Sequence, residues 1–261
     1  IKNALRVSGF YLSEVKTSIK KNDNNTIDLI YNINLGEKAL IKNIKFIGDK
    51  KFKNRKLRQV IVSEESKFWK FLSSKKYLNK NQIKLDERLL LNFYRDSGFY
   101  NANVESSTAK FIDDKNFELT YNINAGEKFI FNDLNIILPS DYERKNFSDI
   151  TSTFLSLKNS TYSLSKINKI LKEIDKISLI QQYEFINAKV EENIVDKNKL
   201  NLTFIISETE KNYVEKINII GNSITRENVI RNSLLVDEGD AFNEILHNRS
   251  INRIKSRGIF E

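Results

Sequence analysis

The sequence predicts an α+β fold built as a tandem array of small units, each running strand, helix, helix, strand, strand, with two helices packed on one face of a three-stranded mixed sheet. Three observations predict it: an octapeptide that recurs along the sequence, apolar alternation on both sides of each copy, and amphipathic stretches that end at glycine. Tyr31-Asn32-Ile33-Asn34-Leu35-Gly36-Glu37-Lys38 returns as Tyr121-Asn122-Ile123-Asn124-Ala125-Gly126-Glu127-Lys128, identical at seven of eight positions and 90 residues further on. A worn third copy at Phe204-Ile205-Ile206-Ser207-Glu208-Thr209-Glu210-Lys211 keeps the alternation and the final Glu-Lys but loses the glycine.

The first element of each unit is an apolar run stopped by a turn residue: Ile44 to Asp49, Leu134 to Pro139 and Ile217 to Asn222. A short helix follows at about 54–62, 141–155 and 225–235, with Ser148-Asp149 and Thr225 as capping chemistry. The second helix is the longer one. Leu85, Leu89, Leu90, Phe93 and Tyr94 recur at helical spacing, as do Ile167, Ile170, Leu171, Ile174 and Ile177. Its end is marked by Gly98-Phe99-Tyr100, by a glycine-less Tyr183-Glu184-Phe185 and by Gly258-Ile259-Phe260, with Gly9-Phe10-Tyr11 as the first instance. A strand from Tyr100 to Thr108 then turns at Asp113-Asp114-Lys115-Asn116 into the alternating strand of Leu119, Tyr121 and Ile123. Leu29, Tyr31 and Ile33, and Leu202, Phe204 and Ile206, are the same half-buried strand in the other units. The protein therefore divides into the tail of one unit (1–36), two whole units (37–126 and 127–210) and the front of a fourth (211–261).

Composition excludes several function classes. Cysteine is absent, so disulfides, thiolate nucleophiles and thiolate metal sites are unavailable to this sequence. The net charge of +9 arises from 43 basic residues interleaved with 34 acidic ones, the pattern of a solvated surface rather than of a phosphate-binding stripe. The one histidine, His247, has no second His beside it, and no glycine-rich phosphate loop or nucleophile turn occurs. Asp237-Glu238-Gly239-Asp240 lacks the alternating ligands of a calcium loop and reads as a turn. Neither catalytic, metal nor cofactor-binding residues are expected. Trp69, with Phe68 and Phe71, is expected to pack into the core or between helices. No run of 18 apolar residues exists, and the start at Ile1 has neither an initiator Met nor a signal-peptide core, so an internal piece of a longer protein is expected.

The strand-helix-helix-strand-strand unit opens on a strand ending in Gly-Asp or Gly-Asn, carries Gly-Phe-Tyr after its second helix and closes on an alternating strand and Gly-Glu. It resembles the POTRA domain of the outer-membrane β-barrel assembly family over essentially the whole sequence. The insertion Phe68 to Tyr77 is similar to that of a third POTRA domain, and Arg257-Gly258-Ile259-Phe260 to the anchor of a last one. The resemblance implies the end of a second domain, a third, a fourth and much of a fifth. It implies a non-catalytic region at the periplasmic face of the bacterial outer membrane, with unfolded outer-membrane proteins as clients, lipoprotein partners, and a membrane barrel outside this chain; no nucleic-acid partner is expected. Two-partner secretion transporters and organelle import pores carry similar domains and stay open as alternatives. A tandem RNA-binding protein is the rival from another class, and the sequence lacks the Gly-x-x-Gly loop such modules need.

An exposed sheet edge offers unpaired backbone groups to a strand of another polypeptide. With the last strand central, as the resemblance implies, the second strand of each unit is that edge. Tyr100, Asn101, Ala102, Asn103 and Val104, and Phe185, Asn187 and Lys189, are the candidate peptide-binding residues. Arg226 and Arg231, on the first helix of the last unit, are the candidate partner-docking residues.

Overall fold

The protein is seen as a computed structural model that describes every residue except 25, 71, 114, 182, 184–185, 209–211, 223–224 and 257–261. It divides into two compact units, one of Ile1–Phe129 with Tyr162–Leu164 and one of Ile130–Thr161 with Ser165–Glu261.

In the first unit, α1 (Lys2–Val7) leads into an antiparallel pair, β1 (Glu14–Lys21) and β2 (Ile27–Asn34). The alternation predicts half-burial for Leu29, Tyr31 and Ile33, but they are exposed. Their sheet has two strands only, and no helical layer covers it among the described residues. A complete strand-helix-helix-strand-strand unit follows: β3 (Leu40–Asp49), α2 (Asn54–Val60), α3 (Lys80–Asp96), β4 (Asn103–Asp113) and β5 (Asn116–Asn124). The strand order is β3-β5-β4, with β3 parallel and β4 antiparallel to the central β5.

Alternation drives this packing. Phe117, Leu119, Tyr121 and Ile123 of β5 are buried in one cluster with Ile44 and Phe46 of β3, Leu57 of α2, and Leu90 and Tyr94 of α3. Glycine ends α3 as expected: Phe99 N–H donates to Tyr94 O and Gly98 N–H to Arg95 O, with Gly98 at φ +101° and the Tyr94 and Phe99 rings 5.8 Å apart. Asp86 of α3, fully buried, ties the layers together. Its carboxylate accepts from Val62 N–H (2.6 Å), Ser63 N–H (3.2 Å) and the Tyr121 hydroxyl (2.7 Å). Burial, and then the Asp86 charge, push the Tyr121 hydroxyl far above its usual range.

The second unit repeats the arrangement with β6 (Ile130–Ile137), α4 (Ser148–Leu157), α5 (Leu164–Ile180), β7 (Ile186–Asp196) and β8 (Lys199–Glu208), in the order β6-β8-β7. Short α6 (Glu227–Arg231) and α7 (Glu244–Ser256) complete it.

Several expectations are corrected. The helix expected at 141–155 begins only at Ser148, after a 3-10 turn at Arg144–Phe147, and no side chain caps the start of either α4 or α6. Ser148 is itself the first helical residue, while Thr225 N–H is taken up by Asn222 Oδ1. Residues 217–222 form no strand, since none of the described residues pairs with them as a ladder, and Ile220 is 91% exposed. Phe68 and Trp69 are 88% and 60% exposed rather than packed. The Gly258 anchor and Phe71 lie outside the described residues.

Two substitutions test this frame. At Gly48, φ is +80° and an added Cβ would collide with Ile123 O, so Gly48→Ala should cost about 2 kcal/mol or more. Asp86→Ala strands two N–H groups and a buried hydroxyl and should cost about 3 kcal/mol. Both are read as lowered urea midpoints, and midpoints like that of the unaltered protein would show the frame to be wrong.

Candidate functional site

The candidate site is built from sheet edges. Because β5 and β8 are central, β4 and β7 are edge strands, as are β3 and β6 on the opposite sides. An edge strand carries backbone donors and acceptors that must find water, a side chain or another strand.

The structure places the expected peptide-binding residues unequally. The strand starts at Asn103, not Tyr100. Tyr100 and Asn101 form a turn, and the Tyr100 ring is taken up by Phe129 (5.3 Å) and Tyr162 (5.2 Å). Ala102 is 4% exposed and belongs to the core. These three are therefore not edge residues. Asn103, exposed, and Val104, half-buried, pair with Asn124 and Ile123 at the start of β4. In β7, Asn187 and Lys189 lie on the edge strand, Asn187 exposed and Lys189 with Glu191 at 3.3 Å, while Phe185 lies outside the described residues. Asn187 also lines a cleft of about 500 Å³ with Lys172, Asp175, Arg249 and Asn252. Burial raises the Asp175 carboxyl above its usual range, and Arg249 partly offsets this.

Arg226 and Arg231 differ as well. Arg226 is the backbone N-cap of α6 and its side chain is exposed. Arg231 is held within its own unit. Its Nε donates to Glu227 Oε1 (2.8 Å), Nη1 to Glu238 Oε1 (3.3 Å) and Nη2 to Ile217 O (3.0 Å). Glu238 Oε1 in turn accepts from Ile217 N–H at 2.9 Å. The result is a clamp: one guanidinium and one carboxylate together hold the backbone carbonyl and amide of Ile217. That amide, and then Arg231, keep the Glu238 carboxyl below its usual range.

The same clamp closes the outer edge of β3. Ile44 N–H donates to Glu65 Oε1 (3.1 Å), Arg58 Nη2 donates to Ile44 O (2.9 Å), and Arg58 and Glu65 pair at 3.1 Å. In both units the arginine stands 14 and the glutamate 21 residues after the clamped isoleucine. Residue-by-residue reading misses this, although an Arg and a Glu at matching places in two repeats was a signal that could have found it.

The strand-helix-helix-strand-strand repeat between them, β6 to β8, has no clamp among its described residues. Backbone bonds set the correspondence: Ser66 N–H to Ile41 O, Gly239 N–H to Val214 O and Asn159 N–H to Phe131 O. The residue before each landmark is Glu65, Glu238 and Lys158. Buried Leu57, Ile230 and Ile150 lie nine residues before each landmark, and they are followed by Arg58, Arg231 and Thr151. Thr151 Oγ1 bonds Phe147 O within its own helix, and Lys158 Nζ reaches Asp133 Oδ1 at 2.5 Å. Among the described residues, no side chain meets the backbone of Leu134, the counterpart of Ile44. Beside Ile136 of this strand is a groove of about 540 Å³ whose lining includes Ile136, Leu138, Arg144, Phe147, Thr151 and Leu155.

A repeated unit with two helices on one face of a three-stranded sheet, its last strand central, defines a class of two-layer α+β repeat domain. The family model described as POTRA, surface antigen variable number repeat, matches residues 39–126 and 212–261, more than half of the sequence, and the protein belongs to that family. It is similar to the outer membrane protein assembly factor BamA of Neorickettsia risticii (22% identity over 92% of this chain and 32% of the relative). It is also similar to BamA of Buchnera aphidicola (27% identity over 84% of this chain and 36% of the relative). The sequence thus spans about a third of the length of these curated relatives. In fold it matches the crystal structure of Haemophilus influenzae BamA POTRA3-5, with a TM-score of 0.59 at 19% identity over 85% of this chain and 87% of that one.

The clamp carries a pH prediction. Because the Glu238 carboxyl is depressed in the folded protein, its contribution is present above the ordinary carboxylate range and is lost as pH falls through the lowered folded value. The Ile217 amide resonance should titrate at a lower pH than that of an unpaired glutamate, and in Glu238→Gln the titration should vanish. Titration at the ordinary carboxylate value would show that no clamp forms in solution.

Proposed function

We propose that this protein is a non-catalytic, polypeptide-binding scaffold at the periplasmic face of the bacterial outer membrane, part of a factor that assembles and inserts β-barrel proteins there. On this reading it comprises the end of one POTRA domain (1–36), two whole domains (37–126 and 127–210) and the front of another (211–261). Unfolded outer-membrane proteins are captured by strand addition at the outer edges of β4 and β7, lipoproteins of the assembly complex dock elsewhere on the array, and the barrel lies outside this chain. Similarity to BamA over most of the sequence supports the setting. The observation that carries the mechanism is that the last strand of each complete sheet is central, which leaves β4 and β7 at the edges. Backbone pairing tolerates many client sequences, as a general receiver of unfolded polypeptides requires.

Asn103 and Lys189, on the two edge strands, are the positions to probe. Photoreactive side chains there should give adducts with an unfolded outer-membrane protein, and a pre-folded barrel should give none. No adducts at either position would end the strand-addition reading at β4 and β7.

A further inference from the structure

We propose that the outer edge of β6 at Leu134 and Ile136, together with the groove beside it, is a docking site for an extended, acidic polypeptide strand, and that the Arg-Glu clamp is what closes the sister edge of β3, and the matching segment at Ile217, to such strands. This rests on the reading of the protein as a receiver of extended polypeptides and assigns it a place that is neither β4 nor β7.

The sister units show what the site takes. At Ile44 and at Ile217 a carboxylate accepts the backbone N–H and a guanidinium donates to the backbone carbonyl. One acceptor and one donor side by side are also what a neighbouring β-strand offers, so the clamp is an internal substitute for a strand. Leu134 pairs with Leu202 as Ile44 pairs with Leu119, so its free groups face the same side. Thr151 and Lys158 supply neither the donor nor the acceptor there.

The side chains around this edge favour a particular strand. Leu155 is 74% exposed, and with Ile136 and Leu138 it gives the groove an apolar track, which Ser148 and Ser152 also line. A strand laid on the edge turns every second side chain into such a track. Arg144, which lines the groove, has no carboxylate within ion-pair distance among the described residues, while Lys158, where the sister units hold a glutamate, pairs with Asp133. Alternate apolar residues interspersed with carboxylates are the complement of that surface.

The test uses the full 261-residue protein and a blocked ten-residue peptide alternating valine with glutamate or threonine, beside a twin methylated at alternate backbone nitrogens. The peptide should shift the amide resonances of Leu134 and Ile136, and the methylated twin should not. Thr151→Arg with Lys158→Glu, which installs the clamp, should weaken binding at least tenfold while circular dichroism stays unchanged. Leu155→Glu, at an exposed position, should weaken it similarly by charge. Binding that both variants leave unaltered would overturn the proposal. Shifts confined to Asn187 and Lys189 would overturn it and leave the broader function standing; binding at no edge would overturn both.

Discussion

Two parallel strands cannot be joined by a tight turn, and the rest of this molecule follows from having such a pair at the heart of each complete sheet. β3 lies parallel to β5 and β6 to β8, so the polypeptide must travel the length of the sheet and back between them. The two helices of each unit are that return path, and their apolar stripes cover one face of the sheet on the way. The hairpin strand is left outside. A central last strand, two helices on one face and two edge strands per sheet are therefore one constraint seen three ways, and the buried Asp86, which bonds α3 to β5 and to the inter-helix connection, holds it in place in the first unit.

Edges are the unavoidable by-product, and the protein treats them differently from one repeat to the next. A salt bridge between groups as exposed as Arg231 and Glu238 contributes little as a charge pair. Its effect is on the backbone: it occupies both backbone groups of Ile217, as Arg58 and Glu65 occupy those of Ile44 in mid-edge of β3, which denies a visiting strand its register there. The middle repeat keeps the same sheet order without this device among its described residues, and it lies between the two stretches that the family model matches.

Much of this was legible in the sequence. Period-two alternation located β2, β5 and β8, and Gly9 and Gly98 marked helix ends because only glycine takes those positive φ angles without strain. The strand order itself came from the resemblance, not from alternation. What stayed hidden depends on partners distant in sequence. Ile217 to Asn222 has the composition of a strand but no ladder among the described residues, and Phe68 and Trp69 have the composition of a core but stand exposed. Arg231 read as a surface cation open to a partner, because a helix position says nothing about whether a carbonyl 14 residues earlier lies within its reach.

The middle repeat lacks both the clamp, among its described residues, and the glycine that ends the apolar run in its sisters. Gly48 and Gly221 end their apolar runs at φ +80°, which lets the backbone reverse at once into α2 or toward α6. Leu138 stands at that place in the middle repeat, and its φ is not positive. The backbone instead leaves β6 through Pro139, turns where Tyr142 N–H meets Pro139 O, and spends a 3-10 turn before α4 begins. The path from Leu134 to the landmark at Asn159 is correspondingly longer than that from Ile44 to Ser66. The landmark bond itself is kept, so Thr151 and Lys158 stand at the places that Arg58 and Glu65 hold in the first complete repeat. What remains at Leu134 is an edge without its internal substitute, beside an apolar track that a sealed edge would not need.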